Sequence, residues 1–181
     1  RANRRMRDEK IWINGRLCNR KEAKVSVFDR GFLYGDGVFE TMRSYAGVVF
    51  KIERHLNRLF KSLEVLKIRP SYSKADFERA AYRALEANDL KNAYIRLTIT
   101  RGETSPTAVI IVREFEGYPA TMYANGITVK IANTMQNEYS PLTGIKSLNF
   151  LNYIISKEEA KTDGFDDAIL LNTKGEIAEG S

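Results

Sequence analysis

Apolar and polar positions change period along the chain, and each change marks an element. Ile11-Trp12-Ile13 and Arg16-Leu17-Cys18 flank Asn14-Gly15, and both of those residues tolerate positive φ. That pattern predicts a tight hairpin. Residues 24–28 read as a short extended segment. The glycines of Asp29-Arg30-Gly31-Phe32-Leu33-Tyr34-Gly35-Asp36-Gly37 predict a backbone held in turns. Residues 38–45 alternate as a strand. Val38, Glu40, Met42 and Ser44 share one face; Phe39, Thr41, Arg43 and Tyr45 share the other. After a turn at Ala46-Gly47 and the run 48–52, Leu56, Leu59, Phe60 and Leu63, with Leu66 or Val65, recur at helical spacing. His55 and Arg58 lie one helical turn apart there.

Ser73 with Asp76 is a capping signature, and the helix it opens buries Phe77, Ala80, Ala81, Ala84 and Leu85. Residues 93–100 alternate cleanly, with Ala93, Ile95, Leu97 and Ile99 on one face and Tyr94, Arg96, Thr98 and Thr100 on the other. The Tyr94 and Arg96 face reads either as an anion-site floor or as an exposed polar sheet face. Residues 107–113, nearly all apolar and β-branched, predict a buried strand. Residues 114–125 look like a linker, and 127–132 like the first strand of a second lobe. Leu148, Leu151, Ile154 and Ile155 then carry a helix to about Thr162, closed by Gly164 at its C′ position. Residues 168–171 read as a buried strand, turned by Thr173-Lys174-Gly175 into Glu176-Ile177-Ala178-Glu179.

Composition narrows the class. With 181 residues the chain is long enough for a real core. No apolar run approaches the roughly 20 residues that span a membrane, and no signal-peptide pattern opens the chain. These features predict a cytoplasmic protein. One cysteine and one histidine exclude an internal disulfide and a Cys/His zinc site, so no metal is expected. Part of the net charge of +6 is local, in Arg1, Arg4, Arg5 and Arg7, which read as a basic tail over 1–10. No aromatic or glycine pattern makes that tail a nucleic-acid arm.

The candidate chemistry gathers at Gly144-Ile145-Lys146-Ser147-Leu148-Asn149-Phe150. Lys146, set between Ile145 and Leu148, reads either as a lysine snorkelling from an element end or as a shielded amine nucleophile. Glu179 ends a later strand and Arg58 lies on the first lobe's helix. An amine, an acid for a ring nitrogen and an arginine for a phosphate are the groups pyridoxal phosphate requires. Spacing alone also permits a surface carboxylate and a surface arginine.

The ordered motifs decide between these. They are Asp29-Arg30-Gly31-Phe32-Leu33-Tyr34-Gly35-Asp36-Gly37-Val38-Phe39-Glu40, Arg54-His55-Leu56-Asn57-Arg58-Leu59, Ala93-Tyr94-Ile95-Arg96, Thr100-Arg101-Gly102, Ile145-Lys146-Ser147-Leu148-Asn149 and Ala178-Glu179-Gly180-Ser181. Together they resemble the fold-type IV pyridoxal-phosphate enzymes, which include branched-chain aminotransferases, D-amino-acid aminotransferases and aminodeoxychorismate lyase. The resemblance implies a two-lobed α/β (α+β) fold: a small N-terminal domain over 11–115, an interdomain linker over 116–125 and the start of a large cofactor-binding domain over 126–181. The family continues past Glu-Gly-Ser, so the large lobe is expected to be incomplete here.

Residue by residue, the resemblance implies that Lys146 is the Schiff-base lysine and proton shuttle. Glu179 is the acid on the pyridine nitrogen, and Arg58 binds the phosphate. Tyr34, Phe39, Tyr94 and Arg96 line the substrate pocket, with Tyr94 and Arg96 helping to hold a carboxylate. Residues 102–109 hold no arginine or histidine, unlike the Arg-x-His trap of D-amino-acid aminotransferases. Tyr94-Ile95-Arg96 and the run Phe115-Glu116-Gly117-Tyr118-Pro119 resemble branched-chain enzymes. The expected activity is therefore transfer of the amino group of L-Leu, L-Ile or L-Val to 2-oxoglutarate, by a homodimer or larger homo-oligomer. The rivals are the two sister activities and a non-catalytic paralogue. Two departures stand out: Phe150 replaces a tyrosine common in branched-chain enzymes, and the loop after Gly102 is short.

Overall fold

The structure is a computed structural model, described over residues 9–115 and 117–181. The basic tail expected over 1–10 lies outside the described residues except for Glu9 and Lys10, and Lys10 already opens a strand. The chain divides into two compact units. One takes the described residues up to 115 together with Ile145–Leu148; the other takes Gly117–Gly144 and Asn149–Ser181.

The first unit runs β1 (Lys10–Ile13), β2 (Arg16–Asn19), α1 (Arg30–Tyr34), β3 (Gly37–Tyr45), β4 (Val48–Val49), α2 (Ile52–Val65), α3 (Lys74–Ala87), β5 (Ala93–Thr100) and β6 (Thr107–Glu114). Its strands form one antiparallel sheet in the order β2-β1-β6-β5-β3-β4. The predicted hairpin is β1–β2, with Asn14 and Gly15 at φ 45° and 91°. Register sets the faces. Val38 opposes Ile99, Glu40 opposes Leu97 and Met42 opposes Ile95, so these residues share the side on which α2 and α3 pack. Leu56, Leu59 and Leu63 of α2 and Phe77, Ala80, Ala81, Ala84 and Leu85 of α3 are buried there. Each large side chain so buried contributes roughly 1.5–3 kcal/mol. Leu66, not Val65, completes the α2 stripe; Val65 is exposed. Helix α3 starts at the expected capping box, with Ser73 and Asp76 exchanging side-chain and backbone bonds.

Three local expectations change. Residues 24–28 form no strand: the Ser26 hydroxyl accepts the Phe28 N–H and the Ser26 carbonyl accepts that of Asp29, which bends the chain. The glycine-rich run after Asp29 winds into α1, capped by Asp29 and ended by Gly35 in the left-handed region. Strand β6 is buried on one face only, at Ala108, Ile110 and Val112, because the helices cover one side of this antiparallel sheet.

The second unit comprises α4 (Ala120–Asn125), β7 (Val129–Ile131), α5 (Leu151–Thr162), β8 (Asp167–Leu171) and β9 (Ile177–Gly180). Part of the segment expected as linker is thus helical. Strands β7 and β8 are parallel and β8 and β9 antiparallel. A parallel pair needs a crossover, and α5 falls between the two strands in sequence. Gly164, at φ 86°, closes α5: its N–H reaches Lys161 and that of Phe165 reaches Ala160. The buried face of α5 is Ser156 and Ala160, against the fully buried Ala168 and Leu170 of β8; Leu151, Ile154 and Ile155 are exposed. Small side chains let the helix lie close on the sheet, and the larger apolar ones take the flank. Among the described residues no helix is long and apolar enough to cross a membrane.

Candidate active site

Lys146 is positioned by strand physics. Strand β4 pairs with β3 only at Ser44 and Tyr45, so the opposite end of β3 has an open edge. Residues 146–148 take it. The Phe39 N–H donates to the Lys146 carbonyl at 3.0 Å and the Leu148 N–H to the Gly37 carbonyl at 2.9 Å, with Ser147 bridged to Val38. Opposed residues share a face, so Ser147 turns to the core side with Val38 and is buried. Lys146 turns to the other side with Phe39. Its Nζ lies 4.8 Å from the centre of the Phe39 ring, which is itself buried. The Arg96 guanidinium lies 3.8 Å from the same centre. Arg96 opposes Thr41 in the register, and Tyr94 opposes Arg43, so Tyr94 belongs to this face too. Two cations over one aromatic wall suit a carboxylate with an apolar remainder.

Gly37 permits this approach. A Cβ there would stand 2.6 Å from the Ile99 carbonyl oxygen and 2.8 Å from Leu148 Cδ1.

Arg58 approaches β3 from the opposite, helix-covered side. Its Nε and Nη2 donate to the two oxygens of Glu40 at 2.5 and 2.6 Å, while His55 Nδ1 lies 2.8 Å from Glu40 Oε2. The Glu40 side chain is wholly buried and that of Arg58 is 54% exposed. Glu40's hydrogen bond, against the pull of burial, makes Arg58 hold its proton above the usual arginine value. Tyr34 closes α1, exposed, with the Arg30 guanidinium 5.0 Å from its ring centre.

Beneath α1 lies a polar anchor. Buried Asp29 accepts the Gly31 N–H at 2.7 Å and the Thr100 hydroxyl at 2.8 Å. Asp36 accepts Arg30 Nε at 3.0 Å and Arg101 Nε at 2.7 Å. Burial pushes the Asp36 carboxyl up, but its bonds to Arg101 and Arg30 outweigh that and hold it below the usual range.

In the second unit Glu179 sits on β9 and accepts the Tyr153 hydroxyl at 2.7 Å. Burial, followed by the bond to Glu179, pushes the Tyr153 phenol up to about 12.

Of the residues expected from sequence, Lys146, Phe39 and Arg96 meet around one ring, with Tyr94 on the same sheet face. Arg58 is held on the opposite face of β3, and Glu179 belongs to the second unit. Glu40 and Tyr153 were not anticipated. Glu40 had a signal: a carboxylate on the predicted core face of an alternating strand demands partners, and His55 and Arg58 stood one helical turn apart. Tyr153 had none.

A family model described as "Amino-transferase class IV" matches residues 37–181. A putative branched-chain-amino-acid aminotransferase of Methanocaldococcus jannaschii is 38% identical over 182 residues, 95% of this chain and 62% of that protein. The aminodeoxychorismate lyase of Bacillus subtilis is 33% identical over 183 residues, 94% of this chain and 61% of that protein. Among solved structures, a branched-chain amino acid aminotransferase of T.th., crystallised with pyridoxamine 5'-phosphate, superposes with a TM-score of 0.88 at 25% identity, covering 97% of this chain and 63% of that one. The chain thus spans about three-fifths of the length of these proteins.

Proposed function

The chain belongs to the class IV amino-transferase family, and from that premise we propose that it acts as a pyridoxal-phosphate-dependent transaminase. Its substrates in this proposal are L-leucine, L-isoleucine and L-valine, with 2-oxoglutarate as acceptor. The observation that carries the proposal is the pinning of Lys146 to the β3 edge, with its amine and Arg96 on the Phe39 ring. A primary amine, a guanidinium engaged through two of its three nitrogens and a carboxylate already bonded through one oxygen are a donor set that fits the cofactor.

When bound, pyridoxal phosphate supplies an electron sink for the carbanion at the substrate Cα. Lys146 would hold it through its amine, and the same amine would move the proton at Cα. Glu179 holds the proton on the ring nitrogen. Arg58, its orientation set by Glu40, binds the phosphate. Arg96 and Tyr94 bind a carboxylate, and Phe39 provides apolar contact for a branched side chain. Glutamate, the amino donor of the reverse half-reaction, uses Arg96 for its second carboxylate. The role expected for Tyr34 at the pocket belongs to this proposal as well. The exposed run Val25, Val27, Phe28, Phe32, Leu33 and Tyr34 supports a homo-oligomer closed by a second copy over this stretch.

A paired assay of L-leucine and D-alanine with 2-oxoglutarate tests the substrate. Turnover of L-leucine supports the proposal. Turnover of D-alanine alone overturns it in favour of a D-amino-acid enzyme. Turnover of neither, together with pyruvate release from aminodeoxychorismate, overturns it in favour of the lyase.

A further inference from the structure

The pairing of Tyr153 with Glu179 joins helix α5 to edge strand β9 through a side-chain hydrogen bond. We propose that Tyr153 is a positioning residue for Glu179, fixing one carboxylate oxygen so that the other faces the ring nitrogen. The inference rests on the reading of Glu179 as the ring-nitrogen acid.

Three observations carry it. First, a glutamate side chain has several rotamers, and the Tyr153 hydroxyl, reaching from α5, selects those that keep Glu179 Oε1 within 2.7 Å. Second, the phenol is itself held. Its ring stacks on Phe150 with centroids 4.4 Å apart and planes 29° apart. Third, the direction of the bond is defined: the Tyr153 hydroxyl donates and the Glu179 carboxylate accepts. Phe150 thereby gains a role as the platform for Tyr153.

The experiment is equilibrium titration of the whole apoprotein with pyridoxal 5'-phosphate for wild type, Tyr153→Phe, Glu179→Gln and the double variant. It reads the Kd, the absorbance maximum of the bound cofactor and the thermal midpoint of each apoprotein. Tyr153→Phe keeps the stacked ring and removes only the hydroxyl. It is expected to weaken binding roughly tenfold, the scale of a lost hydrogen bond to a charged group, and to move the absorbance maximum in the same direction as Glu179→Gln. In the Glu179→Gln background it adds no further loss, because the two residues act as one unit. If Glu179→Gln weakens binding and Tyr153→Phe does not, the positioning role is wrong and the role of Glu179 stands. If Glu179→Gln changes neither Kd nor absorbance, the role of Glu179 itself is wrong and the inference falls with it. Equal losses from Tyr153→Phe in both backgrounds, with a lowered apoprotein midpoint, assign Tyr153 to structure alone and also overturn it.

Discussion

Glu40 is wholly buried on the helix side of β3, yet it receives both Nε and Nη2 of Arg58, whose side chain is half exposed. The pair is asymmetric, so the two partners have unequal costs when removed. Arg58→Ala leaves a buried carboxylate with His55 beside it and destabilises by about 3 kcal/mol. Glu40→Gln leaves a guanidinium that reaches water and costs about 1 kcal/mol. Denaturant unfolding of the two variants checks the order. In the proposed role Glu40→Gln also weakens pyridoxal-phosphate binding, because the phosphate arginine loses its fixed orientation; unchanged Kd separates the structural pair from the binding site.

Gly37→Ala is expected to damage the site from a distance. The new methyl meets the Ile99 carbonyl oxygen, fixed in the β3–β5 ladder, and Leu148 Cδ1, which yields more easily, so the strain is relieved toward the 146–148 segment. Overpacking of this kind costs about 1–3 kcal/mol. Turnover falls further than stability does, since the segment that shifts carries Lys146. Comparing the loss of kcat with the fall in thermal midpoint for Gly37→Ala measures the difference.

Asp36 links pH to stability. Its folded carboxyl lies below the usual range, so the stabilisation is present above the unfolded value and is lost as pH falls through the folded one. Both arginines are partly exposed, which limits the contribution to on the order of 1 kcal/mol. Asp36→Asn is expected to lower the thermal midpoint at neutral pH and to lose that difference in acid. A constant difference across pH contradicts the charge account.

The exposed apolar run from Val25 to Tyr34 predicts a second copy. Phe32→Ser with Phe28→Ser is expected to shift the protein toward monomer in sedimentation equilibrium, with the fold intact by circular dichroism, since neither side chain is buried within its own unit. An unchanged assembly excludes this surface.

What the sequence made legible follows from what each element needs. Alternation named β3 and β5 and their faces, because one side of the antiparallel sheet is buried and the other is not. The capping box fixed the start of α3 to the residue. Lys146 was found through motifs; its setting on the Phe39 ring required the antiparallel bridge of Ser147 to Val38, a contact between residues far apart in sequence. Apolar spacing named helix α5, whereas its seating on β8 through the small Ser156 and Ala160 carries no signal on a scale of apolarity. Tyr153 and Glu179 meet because α5 packs on β8 and β9 pairs beside it, which no local pattern announces.

The most direct test of the account is where the cofactor attaches. Pyridoxal phosphate bound to the whole protein, reduced with borohydride and mapped by peptide mass spectrometry, is expected to yield one phosphopyridoxyl adduct, on Lys146, and none in Lys146→Ala. Label on another lysine, or none on protein supplied with excess cofactor, contradicts it.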